Sequence, residues 1–283
     1  MADTSFSARR RRRYVSLVVL VVALIGGWSG FWYYAAGRAQ TVLDGWRARE
    51  AKDGRVYACG SETVGGYPFR FEVNCSKATV VLRSGQTPLE IRANELLAAL
   101  QVYDPTLLIA EFHAPLTIAE PGKAPMLAAT WTLAQSSVRG TPAAPQRVSA
   151  VFDNPELDRI AGDARQTILH AGRIEVHGRI VDGTVTDHPV IEVVMRLKQA
   201  VAPSIHPVAA HPIDADIDAE LRGLADFSPK TWAARFREIQ AAGGYIDIKE
   251  ARVQQGDTIA VGDGSLSLNA DGRLQGELRI TVA

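Results

Sequence analysis

The sequence predicts a mostly β protein of the α+β type: an N-terminal transmembrane helix, then a curved antiparallel β-sheet ectodomain with one packed amphipathic helix. Three observations predict it. No charged residue occurs from Tyr14 to Ala36. Short segments with a hydrophobic period of two, punctuated by Gly, Asp and Pro, recur from Val56 to the C-terminus. Within that stretch one segment, between Ser228 and Gly244, carries a helical period instead.

The charge-free run comes first. At ~1.5 Å per residue it covers roughly 35 Å, enough to cross a ~30 Å hydrocarbon core. Arg9, Arg10, Arg11, Arg12 and Arg13 abut its start, and cytoplasmic flanks of membrane helices favour Lys and Arg. Lys plus Arg and Asp plus Glu number 31 each, so net charge points to no nucleic-acid partner. Trp28, Phe31, Trp32, Tyr33 and Tyr34 crowd the far end and read as membrane-interface aromatics. The rival reading is a cleaved signal peptide, whose apolar core would be ~7–15 residues and end in small residues. The longer core and the bulky aromatics favour an uncleaved signal-anchor.

The expected organisation follows. Residues 1–13 are a basic cytoplasmic tail and 14–36 the transmembrane helix. Residues 37–55 are a helical juxtamembrane stalk, with Leu43 and Trp46 on one face. Residues 56–283 are a periplasmic antiparallel β domain, with a sub-boundary expected in the loop-like stretch near 200–212. The expected location is the inner membrane, single pass, with the N-terminus cytoplasmic.

The two cysteines, Cys59 and Cys75, both fall in the exported part, where an oxidising compartment permits a disulfide. Closing that loop contributes on the order of 3 kcal/mol in the chain-entropy model. A zinc pair or a reactive thiol is the alternative, but neither C-x(2–4)-C spacing nor nearby His supports metal.

Between them lies Gly65-Gly66-Tyr67-Pro68-Phe69-Arg70. The glycines suit a turn needing positive φ, and Pro68 biases Tyr67 towards an extended backbone. From Phe69 the chain alternates, with Phe71 and Val73 on the face of Phe69 and Arg70 and Glu72 opposite. One reading is a hairpin pinned by the disulfide. The other is an interaction loop presenting Tyr67, Phe69 and Arg70 to a partner.

The aromatic anchor, Trp46, Tyr57-x-Cys59, Gly66-Tyr67-Pro68-Phe69-Arg70 and Cys75 together resemble the alphaproteobacterial domain-of-unknown-function family numbered 2125. The resemblance continues more loosely through Val102-Tyr103-Asp104-Pro105, the segment from Gly172 to His177, and Gly264-Ser265-Leu266-Ser267-Leu268-Asn269-Ala270-Asp271-Gly272. That closing pattern is similar to repeats in AsmA-like envelope proteins, which are associated with outer-membrane assembly and lipid movement. The resemblance implies a membrane-anchored, exported β protein. It implies no reaction and no catalytic residues.

Strand signals then follow in order. Thr79–Arg83 and Leu89–Arg92 flank the turn Ser84-Gly85-Gln86, and Leu96–Val102 reads as strand by context. Thr106–Phe112 follows Asp104-Pro105, a turn starter. Ala128–Gln135 alternates as one strand. Thr141–Pro145 reads as a loop. Arg173–His177 and Val190–Leu197 are separated by Asp182-Gly183. The helix starts with Ser228 as cap and Pro229 at its first position, and closes at Gly243-Gly244. Its stripe of Trp232, Phe236 and Ile239 is expected to pack on a sheet face, where truncating a buried aromatic costs roughly 3–5 kcal/mol. The tail reads as four strands, at 245–248, 258–261, 265–268 and 273–280, with Gly262-Asp263-Gly264 as a turn.

Little resembles catalytic or metal chemistry. Asp214-Ala215-Asp216-Ile217-Asp218-Ala219-Glu220 invites a calcium reading, but the sixth position of an EF-hand loop would be Ala219 rather than Gly. Its period of two instead places the carboxylates on one strand face, tolerable where they meet water or arginines. His206 and His211 near this strand could bind zinc; the plainer reading is loop histidines. There is no G-x-S-x-G elbow, phosphate loop or H-E-x-x-H pair. The expectation is a non-enzymatic envelope protein without cofactors, acting through lipid or through another envelope protein; a hydrolase with a site assembled from distant loops ranks below both.

Overall fold

A computed structural model of the chain describes residues 4–83, 87–141, 144–228 and 230–283. The charge-free run lies within one helix, α1 (Thr4–Lys52), which is apolar and long enough to cross a membrane. It ends at Asp53-Gly54, where Gly54 takes φ 78° and its N–H returns to the Ala51 carbonyl.

Among the described residues sixteen strands follow and join in one sheet. They are β1 (Arg55–Ala58), β2 (Ser61–Gly65), β3 (Arg70–Leu82), β4 (Leu89–Gln101), β5 (Asp104–Ala119), β6 (Leu127–Thr130), β7 (Leu133–Thr141) and β8 (Ala144–Asp153). Then come β9 (Glu156–Ala161), β10 (Ala164–His170), β11 (Arg173–Thr184), β12 (Asp187–Ala200), β13 (Ile213–Leu221), β14 (Tyr245–Gln255), β15 (Thr258–Leu268) and β16 (Leu274–Val282). The main path runs β1-β3-β4-β5-β7-β8-β11-β12-β13-β14-β15-β16, every pair antiparallel. The sheet is open, with β1 and β16 at its edges.

β1 and β2 are one edge strand interrupted at Cys59-Gly60. β2 pairs with the first half of β3 and β1 with the second. β6 and β7 repeat this arrangement on β5, broken at Trp131-Thr132. There the Trp131 indole donates to the Phe112 carbonyl at 2.7 Å. The single strand expected over Ala128–Gln135 is therefore two, because the half-buried indole needs a partner and takes it from the neighbouring strand. β6 also pairs β9, which pairs β10, so the sheet branches at this end.

Other sequence expectations shift for identifiable reasons. Asp104-Pro105 is inside β5 rather than before it, and the hairpin turns at Val102-Tyr103. Asp182-Gly183 lies inside β11, where the register slips and Gly183 (φ 71°) sits so close to His188 that a Cβ would approach its carbonyl oxygen to 2.4 Å. Gly262-Asp263-Gly264 is likewise within β15. The glycine there admits β16, since a Cβ on Gly264 would lie 2.1 Å from the Glu277 carbonyl oxygen. The tail is thus three long strands, not four. Residues 200–212 hold a short 3-10 turn, Pro207–Ala210, and the strands on either side pair directly, Leu197 opposite Ala215. The turn Ser84-Gly85-Gln86, Pro142-Ala143 of the expected loop, and Pro229 lie outside the described residues.

The second helix, α2 (Trp232–Ala241), is capped by Thr231, whose hydroxyl accepts from the Ala234 N–H; Ser228 instead bonds Asp226. α2 meets β15. The burial expected for its stripe does not occur: Trp232 is 79 % exposed and Phe236 52 %. The two rings lie 6.0 Å apart and against each other.

Among the described residues, buried apolar side chains are few and mostly small: Cys75, Ala119, Ala128, Ala134, Ala171, Pro189, Val190, Val201, Ala202, Ala215 and Leu224 in the β region, plus Trp32 of α1. The larger sheet residues Ile191, Val193, Met195 and Leu197 remain partly accessible.

Candidate functional site at the junction of helix and sheet

The residues singled out in sequence converge in space. The aromatic stretch of α1, Trp28 to Tyr33, and the β2–β3 turn, residues 66–69, pack together. Gly66 takes φ 96°, and a Cβ there would stand 2.6 Å from the Arg70 carbonyl oxygen, so only glycine fits; Gly65 has open space around it. The turn this permits delivers its carbonyls to α1. Trp28 Nε1 donates to the Pro68 carbonyl at 2.9 Å, and Trp32 Nε1 to the Arg70 carbonyl at 3.1 Å. The Tyr67 hydroxyl and Ser29 Oγ share a hydrogen bond of 2.8 Å.

The rings complete the contact. Trp32 stacks on Phe71 at 5.5 Å and meets Tyr67 edge-on at 5.6 Å; Tyr33 stacks on Tyr67 at 6.2 Å. Phe69 lies 6.5 Å from Trp28, which contacts Phe31 at 5.7 Å. Trp32 is only 4 % exposed. Tyr34 is 68 % exposed. Phe69 stays 63 % exposed, and Arg70 pairs with Glu72 at 2.7 Å.

Further along, residues 37–52 of α1 run beside β1 and β2. Trp46 packs on Tyr57 at 4.7 Å, and Arg47 pairs with Glu62 next to Cys59. Burial, first, and then Glu50 push the Tyr57 phenol up from its ordinary value. Cys59 and Cys75 form a disulfide across the interruption between β1 and β2, fastening that edge to β3. Sequence reasoning named both the aromatic belt and the loop. It did not foresee that they bind each other, because the indole-to-carbonyl contacts join residues about 40 positions apart with no local pattern.

The sheet itself has two chemically distinct faces. One carries ions in cross-strand register: Arg147, Arg179, Glu192 and Glu220 in one row, and Glu175, Arg196, Asp216 and Arg252 in another. Arg179 holds Glu192 through two bonds of 2.6 and 2.8 Å, Lys249 meets Glu220 at 2.9 Å, and Lys198 meets Asp216 at 3.3 Å. The hydrogen bonds from Arg173, Arg179 and Lys249 hold Glu175, Glu192 and Glu220, respectively, below the usual carboxylate range. The acidic strand thus meets Lys and Arg on its neighbours. A shallow cleft of about 340 Å³ opens over Arg147, His177, Arg179, Glu192 and Arg196 on this face.

The opposite face is apolar from β3 to β16. Phe71, Leu100, Leu108, Val138, Val148 and Gly178 form one cross-strand row. Val176, Met195, Ile217 and Ala251 form another. Leu108, Val148, Val176, Ile246, Val253, Leu278 and Ile280, all on this face, are each more than a third exposed.

Among the described residues no group of three or more His, Cys, Asp or Glu stands close enough to hold a metal ion. His206 Nδ1 accepts from the Val208 N–H, as a turn cap.

A single N-terminal apolar helix followed by one open antiparallel sheet defines the class: a β protein carrying a single-pass membrane anchor or a signal peptide. Residues 32–283 match the model of the family described as "Uncharacterized protein conserved in bacteria (DUF2125)", and the chain belongs to that family. It matches no curated protein and no solved structure.

Proposed function

We propose that this is a periplasmic protein, held in the inner membrane by uncleaved α1, whose apolar sheet face takes up the acyl chains of envelope lipids. The activity is binding, not catalysis. The observation that carries this reading is the division of the sheet into an ion-paired face and a continuous apolar face with partly exposed Leu, Ile and Val on many strands. Exposed apolar surface of that extent marks a binding surface in soluble domains. The arginine run before α1 supports a cytoplasmic N-terminus, and the disulfide suits an oxidising space.

Photo-crosslinking in living cells tests it. A benzophenone side chain at Val193 or Ile217, on the apolar face, is expected to capture phospholipid. One at Ser149, on the ionic face, is expected not to. Equal capture at all three positions, or none at any, rejects the lipid reading. A reporter fused after Ala283 that matures only in an oxidising compartment tests the orientation and should be active.

A protein partner is the second reading, and β16 favours it. Its outer edge is unpaired and all its residues are exposed, with Leu274, Leu278, Ile280 and Val282 on one face. Such an edge accepts a further strand from another β protein.

A further inference from the structure

We propose that the tips of the β2–β3 and β4–β5 hairpins, Phe69 and Tyr103, are inserted into the outer interface of the membrane that α1 crosses, so that the sheet rests on the bilayer instead of standing clear of it. The inference rests on α1 being a transmembrane anchor and concerns a surface separate from the apolar sheet face. Four observations carry it.

The first is depth. From Tyr14 to Trp32 the helix rises about 27 Å, close to the ~30 Å thickness of a hydrocarbon core. Trp32 therefore marks the outer boundary, and Trp28 lies about 6 Å below it, one helical turn at ~1.5 Å per residue. The Pro68 carbonyl is bonded to Trp28, and Phe69 packs 6.5 Å from the same indole. The turn thus reaches back to the level of the boundary or beneath it.

The second is exposure. Phe69 is 63 % exposed and Tyr103 75 %. The two tips adjoin, for the Val102 N–H donates to the Phe69 carbonyl at 3.0 Å. Together with Phe31 and Tyr34 of α1, each more than half exposed, they extend the aromatic belt sideways from helix to sheet. Amphipathic aromatic rings favour the headgroup level.

The third is the capping of the turn's carbonyls. Apolar surroundings tolerate peptide groups only when they are hydrogen-bonded. The carbonyls of Gly66, Pro68, Phe69 and Arg70 accept, in turn, from Arg70 N–H, Trp28 Nε1, Val102 N–H and Trp32 Nε1. Pro68 has no N–H to satisfy. The Tyr67 hydroxyl is bonded to Ser29. A turn built for water would not need two indoles to cap its carbonyls.

The fourth is polarity along the strands. The opposite end of β5 continues into Glu120, Pro121, Gly122 and Lys123, with Lys123 paired to Glu120 and exposed, a tip suited to water. The Tyr103 tip and the Glu120–Lys123 tip stand at opposite ends of β5, which is roughly 50 Å long.

The test uses the full chain in phosphatidylethanolamine–phosphatidylglycerol nanodiscs, with a nitroxide attached at one new cysteine at a time under non-reducing conditions. The positions are Tyr103→Cys, Phe69→Cys, Lys123→Cys and Leu20→Cys. Collisions with dissolved oxygen report lipid, and collisions with a water-soluble nickel chelate report water. Labels at 69 and 103 are expected to favour oxygen several-fold over the label at 123. Tyr103, whose side chain makes no hydrogen bond among the described residues, keeps the test open should Phe69→Cys loosen the junction. If the label at 20 favours oxygen while 69 and 103 match 123, the insertion is refuted and the anchor stands. If the label at 20 is itself in water, the anchor fails and the insertion fails with it.

Discussion

The indole N–H of Trp32 donates to the Arg70 carbonyl at 3.1 Å while its ring stacks on Phe71 at 5.5 Å, so one side chain of α1 fixes both the turn and the first residues of β3. Trp32 is almost fully buried, unlike the aromatics on either side of it. Its truncation should be costly. Trp32→Ala is expected to destabilise the folded domain by about 3–5 kcal/mol, the range for deleting a buried aromatic. Trp32→Phe keeps a smaller aromatic ring and loses the donor, and should cost less, about 1–3 kcal/mol. Denaturant midpoints of the full chain in detergent measure both. Equal losses for the two variants would show that the hydrogen bond, and not the packing, holds the junction.

The adjacent glycines of the turn separate sharply. Gly66 needs its positive φ and its missing Cβ; Gly65 needs neither. Gly66→Ala is expected to strain the turn by about 1–3 kcal/mol and to speed proteolysis between residues 60 and 75. Gly65→Ala should leave both unchanged. The sequence marks the pair as a turn, because Gly-Gly supplies positive φ and Pro68 follows two residues after Gly66. Which glycine matters depends on the approach of Arg70 from the next strand, and no local pattern carries that distance.

The disulfide fastens an interrupted edge strand, joining residues 16 apart. In the chain-entropy model closing such a loop stabilises by about 3 kcal/mol. Cys59→Ala with Cys75→Ala, or reductant on the native chain, should lower the denaturation midpoint by that order. The loss should centre on β1, β2 and their contact with α1, read as faster amide exchange there. Unchanged exchange in those strands on reduction would contradict the role.

The ion-paired face gives the protein an acid limit. Hydrogen bonds from Arg173, Arg179 and Lys249 lower the folded-state values of Glu175, Glu192 and Glu220 relative to unfolded carboxylates at about 4.3. A group depressed on folding contributes stability that is complete above the unfolded value and disappears as pH falls through the folded one. Stability should therefore be flat down to about pH 5 and decline below it. Glu192→Gln, which removes the bidentate pair with Arg179, should make that decline shallower. A midpoint that rises on acidification would contradict the assignment. The strand positions of these charges were legible from their period of two, seen most clearly in Asp214–Glu220. Their partners were not, since the register that sets Arg196 against Asp216 is fixed by bulges such as that between Leu197 and Ala200.

The helix α2 separates pattern from packing most clearly. Trp232, Phe236 and Ile239 have the spacing of a buried stripe, and that spacing located the helix correctly to within a few residues. Yet Trp232 and Phe236 lean on each other in the open, while Ile239 alone reaches the backbone, close to Gly244. A hydrophobic period says which residues share a face and not whether anything covers it. Trp232→Ala is accordingly expected to change stability by no more than about 0.5 kcal/mol, the range for surface positions. The salt-bridge cluster beneath it should matter more. Glu238 accepts from Arg235 at 2.8 Å and Lys230 at 2.6 Å, and from the Ala225 N–H at 2.7 Å, tying α2 to the segment after β13. Glu238→Ala is expected to cost about 1–3 kcal/mol by leaving that N–H and Arg235 without their shared acceptor. Denaturation curves of the two variants should therefore rank opposite to the size of the side chain removed. A loss of several kcal/mol from Trp232→Ala would mean that the stripe is covered in solution.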